Sequence, residues 1–92
     1  MIRSFKDKGL SELFATGKTS KIDQKMQQRI KVRLDRLEQA ASPGDMKLPG
    51  FNFHSLIGFN PTRYTVHVNG PWCITFEFFD GDAHNVDFEQ YH

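Results

Sequence analysis

Apolar residues recur at helical spacing in the first half of the chain and at alternate positions in the second. Leu10, Leu13 and Phe14 stand three and four residues apart, one face of a helix, and Gly17 just beyond them is a stop signal. Asp23 caps a second, longer helix predicted to run to about residue 41. Along it Ile22, Met26, Ile30, Leu34 and Leu37 recur at intervals of four, four, four and three, a continuous apolar stripe. Ser42-Pro43-Gly44-Asp45 ends that helix, because proline cannot extend the hydrogen-bond ladder. Residues 47–50 then read as a connector.

After Gly50 the period falls to two. Tyr64, Val66 and Val68 share one strand face; Arg63, Thr65 and His67 share the other. Asn69-Gly70 is a strong hairpin signal, which Pro71 lengthens. The return strand over residues 72–79 points Trp72, Ile74, Phe76 and Phe78 inward and Cys73, Thr75 and Glu77 outward. Asp80-Gly81-Asp82 makes a second tight turn, and Val86 and Phe88 mark a last strand. Ile2 and Phe5 fit a short first strand. The predicted fold is α+β, two N-terminal helices packed on an antiparallel β-sheet in two layers, as a single domain over residues 1–92.

Composition adds a segregation that the net charge of +1 hides. Residues 1–50 hold eleven Lys/Arg against six Asp/Glu, whereas residues 51–92 hold Arg63 against five acidic residues. Ten of the twelve aromatic residues also fall in that second part. Such a chain meets a polyanion through its basic half. No apolar run approaches the roughly 18 residues of a membrane span, and the charged start MIRSFKDKGL does not read as a signal peptide. A single cysteine, Cys73, allows no internal disulfide and suits a reducing cytoplasm.

Candidate chemistry is sparse. His54, His67, Cys73, His84 and His92 show no paired metal-ligand spacing, so neither a metal nor another cofactor is expected. Cys73 lies within a strand rather than at a helix start, a poor setting for a nucleophilic thiolate. On the second helix Lys25, Arg29, Arg33 and Arg36 fall in one arc at 100° per residue, beside the apolar stripe. That arc is either a solvated face or a row that tracks phosphates. At the other end, an imidazole at His92 beside an α-carboxylate would favour its protonated form, a good general acid.

The ordered set of motifs resembles the HigB-type toxins of bacterial toxin–antitoxin modules, within the RelE/ParE superfamily. Its parts are Ile2-Arg3-Ser4-Phe5, Lys8-Gly9-Leu10, Phe14 to Gly17, Leu34-Asp35 through Ala40-Ala41, Asp45 to Gly50, and His54-Ser55-Leu56 with Gly58. Val68-Asn69-Gly70 with Trp72, Ile74-Thr75-Phe76, Asp80-Gly81-Asp82-Ala83 and the closing Tyr91-His92 complete it. The resemblance covers nearly the whole chain and implies a ribosome-dependent mRNA endonuclease. Such an enzyme cuts A-site mRNA without metal, through attack of a ribose 2′-hydroxyl on the adjacent phosphate. By matched position His54 and His92 share the proton transfers, and Tyr91 orients or donates.

Three positions depart from the pattern of these relatives: Ile57 where many carry a basic residue, Cys73 where many carry arginine, and Gln90 where many carry aspartate. Arg63 and His67, on the strand face of Cys73, are then candidates to supply the missing cation, with Lys25, Arg29, Arg33 and Arg36 as further RNA contacts. The resemblance also implies a HigA-like helix-turn-helix antitoxin as partner, the 70S ribosome and mRNA as targets, and operator DNA reached only through the antitoxin. The competing expectation is an antitoxin-binding module weakened or inactive in catalysis, serving operon autoregulation. The ParE branch, which acts on gyrase, fits poorly with the Tyr91-His92 ending.

Overall fold

A computed structural model of the chain describes residues 1–90. Helix α1 spans Lys8–Thr16, and the Asp7 carboxylate caps it by accepting from the Leu10 amide at 2.9 Å. Its end is set by Gly17, whose φ of 85° closes the last turn with a bond to Leu13 O. Helix α2 spans Gln24–Gln39, capped by the Asp23 carboxylate on the Lys25 amide. Past it, Pro43–Met46 form a short 3₁₀ turn absent from the sequence expectation. There the Asp45 carboxylate accepts from the amides of Ala41 and Ser42 at 2.8 and 3.2 Å, bonds that hold it below the usual carboxylate range.

Four antiparallel strands follow in the order β1-β2-β3-β4: His54–Leu56, Arg63–Asn69, Trp72–Phe79 and Asp82–Gln90. Strand β1 is three residues long, too short for a periodicity to announce it. The hairpin between β2 and β3 turns on Gly70-Pro71 rather than Asn69-Gly70. Asn69 pairs with Trp72, and a bulge between His67 and Asn69 takes up the offset. Pro71 has no N–H for the ladder, so it belongs in the turn. The second hairpin places Asp80 and Gly81 at φ 54° and 79°, the positive pair that a tight two-residue turn requires.

The first residues form no strand of their own, but two isolated bridges, Ile2–Ala83 and Phe5–Val86, lay them parallel along β4 as an edge. Asp82 clips this edge through the Arg3 guanidinium at 2.9 Å and the Met1 amino group at 3.3 Å. The Arg3 hydrogen bond, aided by that amino group, holds the Asp82 carboxyl below its ordinary range. A depressed carboxyl contributes stability above its unfolded value and loses it as pH falls through the folded one. Acidification is therefore expected to free the N-terminal edge before the core melts. Hydrogen exchange at the Ala83 and Val86 amides, which donate to Met1 O and Ser4 O, reads this directly.

The core lies between the helices and the inner sheet face. Leu10 and Leu13 of α1 meet Ile30, Leu34 and Leu37 of α2, with Val66, Val68, Ile74, Phe76 and Val86 beneath. Gly9 sits where α1 faces Ile22, and a Cβ there would stand 2.9 Å from Ile22 Cγ1 and 3.1 Å from Asp7 Oδ2. Gly9→Ala gains about 1 kcal/mol of helix propensity but costs about 1–3 in overpacking. A net loss of stability is expected by urea melting, and Ile22→Val in the same chain should restore part of it.

Candidate active site

The outer sheet face carries the polar residues. Antiparallel partners share a face, so the register places His54 opposite Thr65 and Thr65 opposite Thr75 in one row. The next row is His67 opposite Cys73 opposite Glu89. This face is less open than simple alternation implies. Thr65, Thr75 and Cys73 are buried along with Arg63, whose guanidinium spans the sheet.

Two adjoining cavities open on these rows. One, of about 210 Å³, is lined by Asn52, His54, Thr65, His67, Gly70, Pro71, Trp72 and Cys73. The other, of about 250 Å³, is lined by Leu56, Phe59, Thr65, Cys73, Thr75, Glu89 and Gln90. Thr65 and Cys73 belong to both walls, so the cavities form one trough. Among the described residues no His, Cys, Asp and Glu group is arranged to hold a metal ion.

Backbone carbonyls set both histidine rings. Asn52, at a left-handed φ of 46°, presents its carbonyl to His54 Nδ1 at 3.0 Å. A carbonyl oxygen only accepts, so Nδ1 carries the proton and the neutral ring keeps its lone pair on Nε2. His67 is the mirror case, donating from Nε2 to Gly70 O at 3.1 Å. Cys73 Sγ donates to Glu89 O at 3.4 Å, and burial pushes its thiol pKa up, away from thiolate character. Thr65 Oγ1 is buried beside the Cys73 thiol, a weak hydrogen-bonding group, and makes no stronger bond among the described residues.

The expected cations are arranged differently. Arg63 shares the face of Cys73, but its guanidinium is already committed. Nη1 donates to Glu77 Oε2 at 2.8 Å, and Nη2 to Thr75 Oγ1 at 2.9 Å and Asn85 O at 3.1 Å. It lies outside both cavity walls, because the partly buried Glu77 carboxylate holds it. His67 is the residue of that pair that reaches the trough.

The arc on α2 is not one solvated row either. Arg33 is buried, donating to His67 O at 2.5 Å, Arg29 O at 3.1 Å and Gly50 O at 3.3 Å, over the Phe51 ring at 4.4 Å. Burial, and secondarily Arg29, lowers its pKa. Arg29 reaches Val68 O at 3.3 Å, while Lys25 and Arg36 are exposed. An arc beside the apolar stripe meets the sheet edge, where carbonyls await it. Tyr91 and His92 lie outside the described residues, and His84 stacks on Phe79 at 3.8 Å in the far hairpin. Sequence reasoning missed Asn52 and Thr65. Only the Arg63, Thr65, His67 alternation pointed to the latter.

Residues 3–92 match the family described as the RelE-like toxin of the type II toxin–antitoxin system HigB. The chain belongs to that family. It is also 37% identical, over the full length of both proteins, to a protein of Proteus vulgaris named Endoribonuclease HigB. A HigB-like toxin of this type has an antitoxin partner, and the helices-then-sheet order agrees with the RelE-like fold. No helix among the described residues is long and apolar enough to cross a membrane.

Proposed function

We propose that this HigB-like toxin is an endoribonuclease that cuts mRNA in the ribosomal A site by acid–base transesterification and so blocks translation. The observation that carries the reading is His54 in the trough wall, with its Nδ1 proton fixed on Asn52 O and its basic nitrogen at Nε2. In the reaction a ribose 2′-hydroxyl gives up its proton and its oxygen attacks the adjacent phosphorus. The bond to the 5′-oxygen breaks, and that oxygen takes a proton, leaving a 2′,3′-cyclic phosphate and a 5′-hydroxyl. His54 and His92 divide the two proton transfers, Tyr91 orients or donates, and His67 lines the trough beside the phosphate. The exposed Lys25 and Arg36 are the α2 cations best disposed to meet RNA. A HigA-like helix-turn-helix antitoxin silences the toxin in the cytoplasm and carries the pair to operator DNA.

Dependence on the ribosome has a physical motive. Neither cavity wall contains a lysine or arginine among its described residues, so the trough alone neutralises a pentavalent phosphate poorly. That same observation favours the second reading, an antitoxin-binding module weak in catalysis. Primer extension on mRNA from cells expressing the protein separates them. Cuts in phase with codons are expected, with little cleavage by purified protein without ribosomes; their absence in cells leaves only the binding module.

A further inference from the structure

We propose that the 250 Å³ cavity between loop 57–62 and β4 is a nucleobase subsite, with Phe59 stacking on the base and Glu89 selecting one that carries an exocyclic amino group. The inference rests on the endoribonuclease reading and names what that site selects. It deepens that reading by assigning the trough two halves: one holds His54, the other takes the base of a nucleotide flanking the cut. Four observations point to a base rather than a phosphate.

First, the cavity lies below the roughly 300 Å³ at which ligand pockets begin, which suits one planar ring better than a whole nucleotide. Second, Phe59 is a large aromatic ring, half exposed on the rim, and stacking on such a ring accepts any base. Third, the only charged residue in the described wall is Glu89, which repels phosphate. Its Oε2 accepts from the Thr75 hydroxyl, so the carboxylate is tied to the wall. An ionised carboxylate offers acceptors alone, which match the amino groups of cytosine N4, adenine N6 or guanine N2. Uracil has carbonyl oxygens where those bases have amino groups. Fourth, the Thr65 hydroxyl, 2% exposed in the wall shared by both halves, has only the weakly bonding Cys73 thiol beside it. Buried hydroxyls are rarely left unmatched, and a ligand atom in the trough would satisfy it.

Two measurements on the full chain test this. Cut sites mapped by 5′-end sequencing in cells should disfavour uracil at one flanking position by about tenfold, a discrimination that Glu89→Ala erases. Phe59→Ala should lower cutting about tenfold while leaving the base ranking intact. Both side chains are exposed, so folding survives either change. Separately, NMR titration of the purified protein with cytidine monophosphate should shift the Phe59, Glu89 and Gln90 amides, and uridine monophosphate should shift them less. Cutting with an unchanged base ranking in Glu89→Ala overturns the subsite and spares the nuclease reading. Shifts without any cutting overturn the nuclease reading and keep the subsite. Neither shifts nor cutting overturns both.

Discussion

On the proposed mechanism, replacing His54 by alanine is expected to lower mRNA cleavage by about 10²- to 10⁴-fold and to relieve any growth arrest on expression. The size follows from what the ring is asked to do. A positioned general acid or base contributes that much, and the Asn52 carbonyl fixes which nitrogen holds the proton. Stability should fall only modestly, because the side chain is half-buried and each hydrogen bond it gives up is worth about 1 kcal/mol. Primer extension with the purified variant's circular dichroism alongside makes the check. Cleavage at the wild-type rate by folded His54→Ala would remove His54 from the mechanism, and with it the observation on which the enzymatic reading stands. His92→Gln gives a second arm, expected to abolish cutting as well if the two histidines divide the proton transfers.

Arg33→Ala is expected to destabilise the fold about as much as truncating one of the buried leucines of α2. The guanidinium satisfies carbonyls of three segments at once: the preceding turn of its own helix at Arg29, the connector at Gly50, and β2 at His67. Each bond from a charged donor is worth about 1.5–3 kcal/mol, and truncation leaves acceptors unmatched beneath a ring that has lost its cation. A net loss of about 3 kcal/mol is expected after relaxation and water entry. At about 4–8 °C per kcal/mol for a domain of this size, the melting temperature falls by about 12–24 °C. Arg33→Lys should recover less than half, because an ammonium on a flexible stem cannot reproduce the guanidinium fork. A melting temperature within about 3 °C of wild type would show that α2 and the connector hold together without it. Cleavage should fall too, since His67 N also donates to Phe51 O, so the connector and the His67 backbone move as one piece.

The two arginines mark the limit of periodic reasoning. Placing Arg33 in an arc beside the stripe and Arg63 on the face of Cys73 was correct in direction. Neither placement says that a carbonyl or a carboxylate lies within reach, and that decides whether a cation is offered to a ligand or used up internally. His67 was picked by the same alternation as Arg63 and does reach the trough, because its neighbours there are Gly70, Pro71 and Trp72 rather than an acid. Strand β1 and the left-handed Asn52 went unseen for a different reason. Three paired residues and one unusual φ leave no repeat to detect.

What the chain determined by itself was local. Spacing of apolar residues set α1, α2, β2 and β3 and the sides they bury, Asp7 and Asp23 with Gly17 set helix ends, and Asp80-Gly81 set a turn. Those choices depend on neighbours a few residues away, whose effects a pattern records. The tertiary structure decided the rest: the N-terminal edge running parallel to β4, the pairing of His54 with Thr65, the commitment of Arg33 and Arg63, and the joining of two cavities across Thr65 and Cys73. Each of these joins groups far apart along the chain, and their energies depend on distance and solvent exclusion, which exist only once the layers have closed.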